Sequence, residues 1–142
     1  MPDPLSTPAL LRKIASHQIK SFFPCPAWSR RLQRELRASL VRQWEQLDGY
    51  AALFTREKRI WFRLKQTPEG EAIVTVTEIK KNLCKELETL CKFDPGLVEK
   101  IIEQLNDHLF ADFQDRQGAL WQITVDPRKT LFHIRRAPPE KG

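Results

Sequence analysis

Apolar residues recur along this chain with two different periods, and the switches between them mark out the elements. Leu11, Ala15, Ile19 and Phe22 fall three and four apart, widened by Leu10 and Ile14. That spacing predicts an amphipathic helix with Thr7 as its N-cap and Pro8 in its first turn. Pro24 and Pro26 end it and predict a stiff, extended connector. A second helix is expected from about Ala27 to Leu47, stopped by Gly49. Trp28, Leu32, Leu36, Leu40, Trp44 and Leu47 line one side of it, with Arg30, Arg34 and Arg37 on the other.

The period then drops to two. Ile60, Phe62 and Leu64 alternate with Arg59, Trp61, Arg63 and Lys65 in one strand, and a second strand runs from Ala72 to Thr77 beyond the turn-rich Gln66–Gly70. Helical spacing returns in Ile79, Leu83, Leu87 and Leu90, with Thr77 as the expected cap. It returns again after Asp94-Pro95, through Val98, Ile101, Ile102, Leu105, Leu109 and Phe113. A closing hairpin pairs Trp121, Ile123 and Val125 with Phe132 and Ile134 across the turn Asp126-Pro127-Arg128-Lys129.

The order α-α-β-β-α-α-β-β predicts an α+β fold. Two hairpins with one apolar face each are expected to form a single four-stranded antiparallel sheet backed by helices. Residues 1–26 read as an N-terminal helix and Pro-rich connector, 27–136 as one α+β domain, and 137–142 as a disordered tail. The last helices and hairpin resemble a winged helix in outline. Their expected recognition helix, however, presents Glu99, Glu103 and Asp107 where a DNA-reading helix needs cations or amides.

Charge sharpens this picture because it is segregated. Ser29–Lys65 carries ten cationic against four acidic side chains, while Asp94–Asp115 carries one against six, in a chain of net charge +6. A basic surface points to a polyanionic partner. The outward side of the first predicted strand sets three cations around a ring, the combination that holds phosphates and stacks on a base of a single strand. RNA or single-stranded DNA is therefore the expected ligand. Arg30, Arg34 and Arg37 on the basic helix and Arg59, Trp61, Arg63, Lys65, His133 and Arg135 on the sheet face are the candidate contacts.

A second class of function, a protein-binding adaptor or assembly factor, rests on the first helix. Its stripe Leu11, Ile14, Ile19 and Phe22 either packs on its own domain or docks on a partner or a second copy, and Glu99, Glu103 and Asp107 offer an acidic face. No catalytic signature supports an enzyme. The five glycines form no phosphate-cradling loop, and no GxSxG occurs. Cys84, Cys91 and His108 fit no usual zinc spacing, so no metal, cofactor or small-molecule substrate is expected. Three cysteines without a CxxC, no secretory pattern in Met1–Leu5 and no long apolar run predict a cytoplasmic protein without a membrane segment.

Overall fold

A computed structural model describes residues 8–23 and 30–137. Thr7 and the residues before it, the connector at 24–26 with Cys25, the expected helix start at Ala27 and Trp28, and the tail from Pro138 lie outside the described residues. The elements run α1 (Pro8–Phe22), α2 (Arg30–Gln46), β1 (Tyr50–Phe54), β2 (Arg59–Gln66), β3 (Ala72–Ile79), α3 (Leu83–Cys91), a single 3-10 turn (Pro95–Leu97), α4 (Val98–His108), β4 (Phe110–Gln114), β5 (Leu120–Asp126) and β6 (Leu131–Arg136). The fold is α+β, with six antiparallel strands.

The expected single four-stranded sheet is replaced by two three-stranded sheets, ordered β1-β2-β3 and β4-β5-β6. Each expected hairpin is present, and each has acquired one further strand. Tyr50-Ala51-Ala52-Leu53-Phe54 does not alternate, because four of its five residues are buried. Phe110–Gln114 escaped for the opposite reason: Leu105, Leu109 and Phe113 keep a helical spacing straight through it. Leu109 nevertheless takes left-handed backbone (φ 59) and donates its N–H to the Leu105 carbonyl, which closes α4 and releases β4.

The chain divides into two compact units, Met1–Leu53 with Trp61–Thr77, and Phe54–Ile60 with Glu78–Gly142. In the first, α1 packs on α2, burying Leu11, Ala15, Ile19, Leu36, Leu40 and Trp44. Phe22 meets Phe62 edge to face at 5.9 Å, and the Trp44 indole donates to the Phe62 carbonyl at 3.4 Å. Gly49 carries the chain out of α2 at φ 89, where a Cβ would stand 2.2 Å from the Leu64 carbonyl oxygen. Only glycine fits there, and its own carbonyl accepts from the Leu64 N–H at 2.7 Å. Within this unit the Gln43 side chain bonds both backbone groups of Ala52, accepting at 2.8 Å and donating at 2.9 Å.

The second unit buries Leu83, Leu87 and Cys91 of α3, Val98, Ile101 and Leu105 of α4, and Ala111, Phe113 and Ile123 of the second sheet, with α4 packed on β4. β3 runs on through Ile79, so Thr77 lies inside a strand and is not the cap of α3. Asn82 takes that role, accepting from the Lys85 N–H at 3.1 Å. Asn106 holds Phe54 by the same two-point amide arrangement that Gln43 uses on Ala52, at 2.8 and 3.0 Å. β5 and β6 pair with Ile123 opposite Ile134 and Thr124 opposite His133. Their turn forms as expected, the Asp126 carboxylate accepting from the Arg128 N–H at 3.0 Å.

Candidate nucleic-acid interface

The open cationic face expected on β2 does not exist at its N-terminal half. β2 is the central strand of its sheet, and both sides of Arg59 to Phe62 are buried. Trp61, expected as an exposed stacking ring, is 5% exposed. Arg59 is equally buried. Its guanidinium is ion-paired with Glu86 and lies 3.8 Å from the centre of the Phe132 ring, within the second unit. Burial lowers its pKa to about 10, which still leaves it charged at neutral pH. Both assignments are therefore corrected: alternation in the sequence located the strand, but from Arg59 to Phe62 both of its faces are covered.

The remaining residues expected on that face are dispersed. Arg63 is half-buried, its guanidinium 3.6 Å from the centre of the Tyr50 ring and donating to the Asp48 carbonyl at 3.1 Å. Lys65 is exposed at the far end of β2. His133 and Arg135 are exposed on β6, in the other sheet, where Arg135 donates to Gln122 at 3.3 Å. No common sheet face joins them to Arg63 and Lys65.

The basic helix is a different matter. Arg30, Arg34 and Arg37 lie three and four apart along α2, and they face Ser16, Ile19 and Lys20 of α1 across a groove of about 110 Å³ that Gln33 also lines. The Arg37 guanidinium reaches the Ser16 hydroxyl at 3.4 Å, and Gln33 donates to the Phe23 carbonyl at 3.3 Å. Four cationic residues thus converge on one small concavity. Among the described residues no acid lines the groove, and none ion-pairs with Lys20, Arg30, Arg34 or Arg37. Together α1 and α2 carry eight Lys and Arg against two Glu, an excess of +6 that equals that of the whole chain.

Lys20, Ser16 and Gln33 were not singled out by the sequence. The available signal was a composite one: two consecutive helices joined by a short connector pack side by side, so i,i+4 pairs on their polar margins meet. Ser16 and Lys20 form such a pair on α1, as do Arg30 and Arg34 on α2.

The residues expected to bind protein are also redistributed. Leu11 and Ile19 are buried in the core of their own unit, while Ile14 and Phe22 are half-buried. Leu11 and Ile19 are thereby spent in cis, the first of the two expected alternatives, and are not available as a docking face. Glu99, Glu103 and Asp107 are exposed on α4, with Glu99 3.3 Å from Arg56.

Cys91 and Asp115 are tied into the second unit. Cys91 is buried, which pushes its thiol up to about 11. Asp115 accepts from the Trp121 indole and from the Gln117 and Ala119 N–H groups, each at 2.9 Å. The indole bond first, then the backbone bonds, hold its carboxyl below the usual carboxylate range. Among the described residues no three His, Cys, Asp or Glu side chains gather as a metal site, and no helix is long and apolar enough to cross a membrane. No known protein family, curated protein or solved structure matches the chain.

Proposed function

We propose that this chain binds RNA or single-stranded DNA through its phosphate backbone, on the basic surface formed by α1 and α2. The observation that carries the reading is the groove in which Lys20, Arg30, Arg34 and Arg37 converge without an acidic counterpart. Like charges held this close repel one another, and an anion seated among them removes that cost.

On α2 Arg31 pairs with Glu35 at 3.1 Å, whereas Arg30 and Arg34 form no ion pair among the described residues.

With Trp61 buried, base stacking on β2 has no part in this reading. Binding rests on phosphates and is therefore tolerant of sequence. A flexible single strand can turn one phosphate into a concave site, whereas duplex phosphates sit on a stiff, convex ridge, and this favours the single strand.

The test is a fluorescence-anisotropy titration with mixed-sequence single-stranded RNA and a duplex of equal length. If all four cations meet phosphates, the slope of log K against log salt is about −2.8, which is roughly a fiftyfold loss between about 50 and about 200 mM. Arg34→Ala should weaken binding and reduce the slope by about 0.7. Absence of binding at about 50 mM salt, or equal affinity of wild type and Arg34→Ala, removes the reading. Equal affinity for duplex removes the single-strand preference.

A further inference from the structure

The two edges of the first sheet are treated in opposite ways. β1, at one edge, has the backbone groups of Ala52 and Phe54 bonded by Gln43 and Asn106, so the row of donors and acceptors that invites another strand is occupied. β3, at the other edge, is eight residues long, and six of the eight are exposed. Among the described residues no side chain bonds its backbone. It contains no proline and no lysine, the residues that usually blunt an edge, and its one charge, Glu78, is 3.7 Å from Lys58. Ile73 and Ile79 remain 50% and 38% exposed.

We infer that β3 pairs with β3 of a second copy, antiparallel, about a two-fold axis through Val76. A two-fold normal to the sheet keeps each strand's faces in place, so residues of the same parity oppose one another and the axis passes through a residue. The strand Ala-Ile-Val-Thr-Val-Thr-Glu-Ile is close to a palindrome about Val76. In that register Ile73 lies opposite Ile79 of the second copy and Thr75 opposite its Thr77. Val76 lies opposite Val76.

Charge agrees with this register just beyond the strand, where Glu71 falls opposite Lys81 of the second copy, at both ends by symmetry. An axis through Thr75 instead sets Ile79 against Glu71, and one through Thr77 sets Ile73 against Lys81. On the face of the odd-numbered residues every pair matches only about Val76, while on the other face Val74 lies opposite Glu78, whose charge Lys58 answers within the same chain. The occupant is thus a second copy of this chain, and the interface closes on itself as a dimer.

The experiment is analytical ultracentrifugation of the full chain, without nucleic acid, from about 1 to about 200 μM. A monomer–dimer equilibrium with no larger species is expected. Ile73→Lys and Ile79→Lys each place a cation against an isoleucine and should weaken the dimer at least tenfold. The double variant Ile73→Glu with Ile79→Lys sets opposite charges across both pairs and should recover most of the loss. Both positions are solvent-facing, so each variant should melt like wild type at the lowest concentration. A monomer throughout the range overturns the proposal and leaves the edge to some other strand. So does a dimer indifferent to Ile73→Lys, or assembly that continues past two copies.

Discussion

Gln43 provides the sharpest test of how the first unit is held together. Its side-chain amide is 3% exposed and stands in for a neighbouring strand, giving Ala52 one acceptor at 2.8 Å and one donor at 2.9 Å. Ala52 is itself fully buried. Gln43→Ala removes both partners at once and strands a backbone N–H and a C=O away from water. Each unsatisfied group costs about 1–3 kcal/mol, so the pair predicts a loss of about 2–6 kcal/mol, toward the lower end if water enters the vacated space. Gln46→Ala, an exposed change on the same helix, should stay within about 0.5 kcal/mol of wild type.

Gln43→Glu keeps the shape and replaces the donor with a second oxygen facing the Ala52 carbonyl. At neutral pH it should destabilise as severely as the alanine variant. Protonation restores the donor, so the introduced carboxyl titrates higher folded than unfolded. Its stabilising effect is complete below the unfolded value of about 4.3 and is lost as pH rises through the folded one. Urea unfolding followed by circular dichroism and by tryptophan fluorescence, at a series of pH values, measures all of this. If Gln43→Ala loses less than about 1 kcal/mol, or Gln43→Glu shows no gain on acidification, the clamp is not what satisfies this strand edge.

Two further outcomes follow from burial and from Asp115. Trp61→Ala should destabilise by about 3–5 kcal/mol, as Phe62→Ala should, because both rings are core; a melt of the Trp61 variant close to wild type would return the ring to the surface. Because the folded carboxyl of Asp115 titrates below its unfolded value of about 3.9, its contribution is present above that value and lost as pH falls through the folded one. Urea midpoints between about pH 5 and about pH 2 should therefore fall further in wild type than in Asp115→Asn, and parallel curves would refute this.

Much of the fold was legible because it rests on local rules. Alternation located β2, β3, β5 and β6, and the Asp-Pro turn between the last two strands formed where its chemistry required. What escaped were the places where one local signal masked another. Tyr50–Phe54 is buried on both sides, so it shows no period at all. Phe110–Gln114 inherits the period of the preceding helix, and only the left-handed Leu109 separates the two. Leucine in that conformation is not announced by its side chain. The division into two sheets was illegible for the same reason, since it depends on those two strands.

The candidate site shows where periodicity stops being informative. Arg59 and Arg34 both sit on the polar side of an amphipathic element, and nothing local distinguishes them. Arg59 lies on a central strand, where Phe132 and Glu86 cover it. Arg34 lies on a helix whose partner, α1, brings another cation in place of an acid. Alternation states which side chains share a face; only the next layer of structure states whether that face meets solvent. Lys20, Arg30, Arg34 and Arg37 share the groove between α1 and α2, and among the described residues none of the four forms an ion pair. Among the described residues no acid lines the groove to relieve their repulsion, and a phosphate is the partner we propose for it.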